Sequence, residues 1–312
     1  MKRVARILAR RLAGIVPVAA LVVVGTFLLL EAAPGDAVDA YLASSGGDRA
    51  LVDELRRAWG LDGGTWPRLL LYLSALAHFD LGWSVAFARP VTDVIGTRIA
   101  NTLLLMGLAV ALAFFAGSLL GVLAGSRPGN AVDRFLSLGS LALYAVPGFW
   151  LGLVLIVVFS VRLQWLPTGG IGTWKHWVMP VLAYSLAPTA VIARYTRVAM
   201  LEVTNTDYIR TARAKGLHER TVIGRHAFKN ALIPLLTIMG PLAATMVTGS
   251  FFIETIFRIP GMGNQLTLAI YNRDYPVIMT LSLLWSTVIA VTYLVTDLLY
   301  AWIDPRVRLT GR

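Results

Sequence analysis

Six stretches of the chain contain no charged side chain: Leu12–Leu30, Leu103–Gly125, Phe135–Val161, Trp177–Ala193, Ala231–Ile253 and Val277–Thr296. Their lengths are 19, 23, 27, 17, 23 and 20 residues. A helix crossing a hydrocarbon core of about 30 Å needs roughly 20 residues. Five stretches meet that within a residue, and the fourth meets it if Arg194 snorkels to the interface. An open chain in lipid must satisfy its backbone internally, so the pattern predicts six membrane-spanning helices with both termini on one side. Lys2, Arg3, Arg6, Arg10 and Arg11 precede the first stretch, as in a signal peptide. That stretch exceeds the 7–15-residue core of such peptides, and it reads as a retained helix.

Two of the polar connections carry structure of their own. In Glu31–Arg98, Pro34-Gly35 breaks the first helix, and Leu51, Leu55 and Trp59 fall at helical spacing within Asp48–Trp59. Trp66–Phe79 is apolar and aromatic and suits a membrane interface. This loop is either a small helical cap or a docking surface for an external partner. In Arg194–Asn230, Asn205-Thr206-Asp207 offers an N-cap, and Tyr208–Lys215 is expected to form two helical turns. Gly216 sits where a left-handed C-cap belongs, and a second helical stretch, Glu219–Asn230, leads to Ile233-Pro234. A compact helix–Gly–helix excursion is either a solvated basic loop or a lever that another protein grips.

Composition agrees with a membrane protein: 57% of residues are hydrophobic and 14% charged. Soluble domains run at roughly 45–50% and 25%, and disordered chains need more charge still. The net charge of +11 would suggest nucleic acid in a soluble protein, but its distribution reads as topology. The side holding both termini carries 18 of the 28 basic residues and five acidic ones, a net +13. The opposite side carries ten basic and eleven acidic residues, and Asp297 lies near the end of the sixth stretch. Both termini are therefore expected in the cytoplasm, and no nucleic-acid partner is expected. There is no cysteine, which removes disulfides, thiolate metal sites and cysteine nucleophiles.

Enzyme chemistry finds little support. None of the four lysines (Lys2, Lys175, Lys215, Lys229) follows a glycine, so no phosphate-binding GK[ST] loop exists. His78, His176, His218 and His226 form neither an HExxH pattern nor an i,i+4 pair, and no metal site is expected. No GxSxG is present either. Gly117, Gly121 and Gly125 form a small-residue stripe at i,i+4 spacing, as do Gly148 and Gly152, and both read as close helix packing. Pro17, Pro147, Pro180, Pro188, Pro234 and Pro241 lie in or at the spans and are candidate kinks. Only Glu254 and Asp297 approach the membrane interior. A proton-coupled carrier needs buried relays there, so the driving energy is expected from outside the membrane.

The string Asp207-Tyr208-Ile209-Arg210-Thr211-Ala212-Arg213-Ala214-Lys215-Gly216-Leu217 resembles the cytoplasmic "EAA" loop of ABC-importer permeases, in the dipeptide, oligopeptide and nickel branch. Further strings match in order along nearly the whole chain. They are Gly60-Leu61-Asp62, Phe79-Asp80-Leu81-Gly82-Trp83-Ser84, Arg89-Pro90-Val91 and Val146-Pro147-Gly148-Phe149-Trp150-Leu151-Gly152. Then come Glu254-Thr255-Ile256-Phe257-Arg258-Ile259-Pro260-Gly261-Met262-Gly263, Asn272-Arg273-Asp274-Tyr275-Pro276 and Asp304-Pro305-Arg306. The literal Glu31-Ala32-Ala33 is a decoy on the outer side, and the motif positions read Arg210-Thr211-Ala212. His218 replaces a small polar cap before Glu219 and is expected to loosen the start of the second helix.

The resemblance implies an all-α integral membrane protein with six transmembrane helices. A helical extracytoplasmic loop would join spans one and two, and a cytoplasmic coupling helix spans four and five. Its organisation would be 1–30 N-terminus and first span, 31–98 outer loop, 99–300 permease core with coupling loop 194–230, and 301–312 cytoplasmic tail. It implies a cell inner-membrane subunit that binds no cofactor, ATP and Mg being held by partner ATPases. The partners would be a second permease subunit, one or two cytoplasmic ATPases, an extracytoplasmic solute-binding protein and membrane lipid. Asp207, Tyr208, Ala212, Arg213, Lys215, Gly216, Leu217, Glu219 and Arg220 would couple to the ATPase. Pro147, Glu254, Phe257, Pro260, Gly261, Gly263, Asp274 and Pro276 would be family-motif or gating positions. The implied cargo is short peptides. Leu163-Gln164-Trp165-Leu166-Pro167 with Trp174-Lys175-His176 leans toward nickel or a metal chelate, and a stand-alone secondary transporter or channel is the alternative of another class.

Overall fold

A computed structural model describes residues 2–35, 38 and 63–303. Asp48–Trp59, Gly60-Leu61-Asp62 and Asp304-Pro305-Arg306 lie outside the described residues. The described chain is mostly helical. Its elements are α1 (Lys2–Ala32), α2 (Thr65–Ala77), a hairpin of β1 (Trp83–Ser84) and β2 (Arg89–Pro90), α3 (Val91–Ser126), α4 (Ala131–Ala145) and α5 (Gly148–Arg162). There follow α6 (Lys175–Thr204), α7 (Asp207–Ala214), α8 (Glu219–Ile256), α9 (Met262–Tyr271) and α10 (Tyr275–Ile303). Wide π-type turns occupy Ile156–Arg162 of α5 and Val222–Ala227 of α8.

Among the described residues, five helices are long and apolar enough to cross a membrane: Gly14–Ala32 within α1, then α3, α6, α8 and Tyr275–Leu299 within α10. The stretch predicted as one span over Phe135–Val161 is instead two helices, α4 and α5. Pro147 supplies no N–H and disfavours helical backbone at the preceding residue, and Val146 is extended at φ −85°, ψ 120°. Gly148 then restarts the helix. Asn130 caps α4, its side chain accepting the Asp133 N–H at 2.6 Å.

The chain divides into two compact units. The first lies within Met1–Thr102 and Pro260–Ala290. There Val91, Val94 and Ile95 of α3 pack on Met262 and Ala269 of α9 and on Val277, Ile278 and Leu281 of α10. Val23 and Phe27 of α1 meet Leu69 of α2 and Met279 of α10. Glu31, the first residue of the decoy triplet, pairs with Arg68 at 3.0 Å and fastens α2 to the end of α1. Helix α2 covers most of the predicted interfacial segment, and its Trp66, Leu70 and Leu71 are exposed.

The second unit lies within Leu103–Ile259 and Val291–Arg312. Here α3 crosses α6 at the glycine stripe. A Cβ on Gly117 would lie 2.8 Å from both Ile192 Cβ and the Thr189 carbonyl, and one on Gly125 2.7 Å from Met200 Cβ. Gly121 abuts Thr196 and the Ala193 carbonyl in the same way. The helix axes approach this closely because the stripe has no side chains. Gly152 of α5 faces the Phe257 ring, where a Cβ would sit 3.0 Å away, and Gly148 faces the Ala183 carbonyl. Arg197 of α6 clasps Asp133 of α4 with two N–H donors, and the Gly129 N–H donates to the same carboxylate at 2.8 Å. The Arg197 bond, with help from Gly129, holds the Asp133 carboxyl below the ordinary carboxylate range.

Candidate functional site

The connection between α6 and α8 folds back on its own helices. Helix α7 begins at Asp207, one residue earlier than the spacing predicted, with Thr206 extended at the N-cap. The Thr206 hydroxyl turns back to the Val203 carbonyl at 2.6 Å instead of capping. Ile209 and Ala212, three apart on one face, are buried with Ala199 and Met200 of α6 and with Val222, Ala227 and Ala231 of α8. Ala212 therefore seats α7 on its own chain and is not available to a partner. The Tyr208 hydroxyl accepts from Asn230 Nδ2 at 2.9 Å, a second tie to α8.

The corner is made at Gly216, which is left-handed at φ +75°. Its N–H donates to the Arg213 carbonyl at 2.9 Å, and the Leu217 N–H to the Ala212 carbonyl at 3.4 Å. This is the paired closure of a Schellman motif, with glycine where an L side chain would be strained. Across the corner Arg213 holds Glu219 through two bonds, Nε–Oε2 at 3.2 Å and Nη2–Oε1 at 2.9 Å. His218 departs from its expectation: its Nδ1 accepts the Arg220 N–H at 3.3 Å and caps α8 instead of loosening it. Residues 213–221 are all exposed, as are Asp207 and Tyr208. The result is a short amphipathic helix with a buried base, a rigid corner and an outward rim of Asp207, Arg210, Lys215, Leu217 and Arg220.

Of the second predicted set, Glu254 and Phe257 lie at the other end of α8. Glu219 and Glu254 are 35 residues apart on one helix, roughly 50 Å at 1.5 Å per residue. Glu254 is fully buried in the last turn, and its backbone carbonyl accepts the Ile259 N–H at 2.8 Å. Phe257 is also fully buried, and its carbonyl accepts the Gly170 N–H at 2.8 Å with Gly169 packed directly against it. Nothing in the motif pattern signalled Gly169, because the constraint comes from a backbone 88 positions away.

In the first unit, Asn101 Nδ2 donates to the Pro260 carbonyl at 2.9 Å, and Thr102 Oγ1 accepts the Met262 N–H at 2.8 Å. Gly261 is the extended N-cap of α9, and Gly263 is buried. Asp274, fully buried before α10, accepts from the Ser84 hydroxyl and from the Ala86 N–H at 3.2 Å, while Pro276 faces Gly82 across the hairpin. Burial pushes the Asp274 carboxyl up, against the opposing hydrogen bond from Ser84. These two strings, far apart in sequence, thus form one clamp. The His176 ring meets the Thr173 N–H at 3.0 Å at the start of α6.

Residues 117–309 match the family of binding-protein-dependent transport system inner membrane components. The chain belongs to this family. Among its relatives is the oligopeptide transport system permease protein AppB of Bacillus subtilis, 36% identical, with 96% of this chain and 98% of the relative covered. The glutathione transport system permease protein GsiC of Escherichia coli K12 is 37% identical, with 96% and 97% covered. The fold is similar to that of the inward-facing methionine ABC transporter MetNI, with a TM-score of 0.58 at 19% identity, covering 68% of this chain and 97% of that one. The crystal structure of an amino acid ABC transporter with histidines gives 0.53 at 15% identity, with 68% and 94% covered. The permease is a multi-pass inner-membrane component of binding-protein-dependent transport.

Proposed function

We propose that this permease is one of two transmembrane subunits of an ABC importer for short peptides, and that the Gly216 corner is the lever its ATPase moves. The observation that carries the reading is the corner itself: a helix with its apolar face seated on α6 and α8, stiffened by the Arg213–Glu219 bridge and presenting a charged rim outward. Relatives named for oligopeptide and glutathione transport support the cargo. In this reading α4 and α5 make a single pass interrupted at Pro147, which brings the spans to six. Both termini and the corner lie in the cytoplasm, and the outer loop of residues 31–98 meets an extracytoplasmic solute-binding protein. ATP and Mg are held and used in the partner ATPases.

Such a lever transmits force only if its corner is stiff and its base moves with the spans. ATP-driven closure of two ATPases then displaces α7, and with it the ends of α6 and α8, in a rigid-body switch between inward- and outward-open arrangements. Pro147, Glu254, Phe257, Pro260, Gly261, Gly263, Asp274 and Pro276 hold the helix ends that must move as blocks.

The test is Gly216→Val in the assembled importer reconstituted in liposomes. A β-branched residue at φ +75° strains the corner, so peptide uptake falls at least tenfold relative to ATP hydrolysed. Unchanged stoichiometry between uptake and hydrolysis removes the lever assignment. Calorimetry on the cognate binding protein, with dipeptides against a nickel chelate, decides the cargo.

A further inference from the structure

Within the second unit, a cavity of about 250 Å³ opens where the α4–α5 break meets α6 and α8. Its walls include Phe149, Tyr184, Pro188, Thr245, Gly249 and Phe252. Tyr184 is buried, with 9% of its surface exposed, and its hydroxyl has no hydrogen-bond partner among the described residues. A buried hydroxyl without a partner is uncommon in a settled core and asks for an occupant. Gly249 leaves the space beside it open, since a Cβ there would come within 3.4 Å of the hydroxyl oxygen. Pro188, four residues on, has no N–H to offer the Tyr184 carbonyl. Tyr184 thus brings an unengaged hydroxyl to the cavity wall, next to a helical turn weakened by Pro188.

Two further facts decide what occupies the cavity. Tyr184 lies nine residues into α6, roughly 14 Å along the helix, which is close to the middle of a 30 Å core. The exposed face of α8 beside it carries Pro241, Thr245, Thr248 and Phe252. The exposed face of α3 looks different, with Leu103, Leu104, Leu108, Phe115, Leu119 and Leu123. The α8 face, with its threonines, proline and neighbouring glycine, suits a polar solute passing an otherwise apolar wall.

We infer that Tyr184 is a contact point on the translocation path, binding the main-chain amides of a peptide in transit. This rests on the peptide-importer reading above. A hydroxyl that donates and accepts, on a wall shared with Phe149 and Phe252, suits a backbone carrying both N–H and C=O whatever its side chains are. The contact is weak enough to release cargo, as passage requires.

The test uses the complete importer with its partner subunits in liposomes. Tyr184→Phe removes only the hydroxyl, and the uptake rate of a radiolabelled tripeptide falls roughly three- to tenfold, the span of one neutral hydrogen bond. Wild-type uptake by this variant overturns the inference. Because the chain has no cysteine, Thr245→Cys gives a second readout free of background within this subunit. A charged, water-soluble thiol reagent labels it, and saturating tripeptide slows labelling at least fivefold. A cysteine that never reacts, as when lipid or the second permease covers this face, overturns the inference, and so does labelling indifferent to peptide. If wild-type importer carries no tripeptide, the peptide reading fails and this site with it. If it carries tripeptide while both readouts stay flat, the site alone fails.

Discussion

Arg213 and Glu219 face each other across Gly216 in a two-bond bridge, with Nη2–Oε1 at 2.9 Å, joining the end of α7 to the start of α8. Both side chains are about half exposed, at 41% and 51%. A pair so wet contributes only about 0.2–1 kcal/mol to stability, so its value lies in fixing the angle of the corner. Arg213→Ala and Glu219→Ala should each leave the thermal midpoint within about 2 °C while lowering uptake per ATP several-fold. The swap Arg213→Glu with Glu219→Arg should recover most of the loss. A swap no better than the single variants would show that the charges act on a partner and not on each other.

The α3–α6 crossing makes a sharper steric prediction. Gly121→Ala sets a Cβ against Thr196 and the Ala193 carbonyl, where backbone must shift. The expected cost is about 1–3 kcal/mol, read as a lowered melting temperature and reduced yield of folded protein. Gly107→Ala on the same helix meets nothing within 4 Å and should be neutral or slightly stabilising. Equal melting temperatures for the two variants would show that α3 does not rest on α6 at the stripe.

Asp133 and Arg197 tie α4 to α6 through charge-assisted bonds. The Asp133 carboxyl is held below its ordinary 3.8, so its contribution is present at neutral pH and lost as the pH falls through the depressed value. Asp133→Asn should cost about 1.5–3 kcal/mol at pH 7. The gap between variant and wild type should close below about pH 4, checked by thermal unfolding in detergent across the acid range. A gap independent of pH would mean that the carboxylate charge is not what holds the helices.

Legibility in the sequence followed the range of each interaction. Uncharged stretches located the spanning helices, because exclusion of charge from lipid acts residue by residue. The same reading merged α4 with α5, since counting charges is blind to a missing backbone donor at Pro147. Gly216 was visible as a left-handed corner because it is a glycine. Phe79, Arg258 and Arg273 are left-handed too, at φ 60°, 52° and 52°, and each closes the end of a helix. Nothing in their side chains announces it. The motif strings marked Asp274 and Ser84 separately, yet their contact spans 190 positions and only the fold brings them together. No motif or spacing marks Tyr184, because it is the surrounding helices that leave its hydroxyl without a partner.

The Ser84–Asp274 clamp responds to pH in the opposite sense to Asp133. Burial raises the Asp274 carboxyl above 3.8, so its neutral form is favoured in the folded state. The stabilisation is fully present below that ordinary value and is lost as the pH rises through the raised one. At neutral pH the carboxylate depends on the Ser84 hydroxyl and the Ala86 N–H to offset its desolvation. Ser84→Ala removes the better donor and should destabilise the first unit by about 1–3 kcal/mol at pH 7 and by less at pH 4. Asp274→Asn keeps an acceptor for both donors and carries no charge to desolvate, so it should be milder than Ser84→Ala at pH 7. It should also flatten the pH dependence of unfolding between pH 4 and 7. An Asp274→Asn variant less stable than Ser84→Ala would show that the clamp depends on the negative charge itself, which the burial of Asp274 argues against.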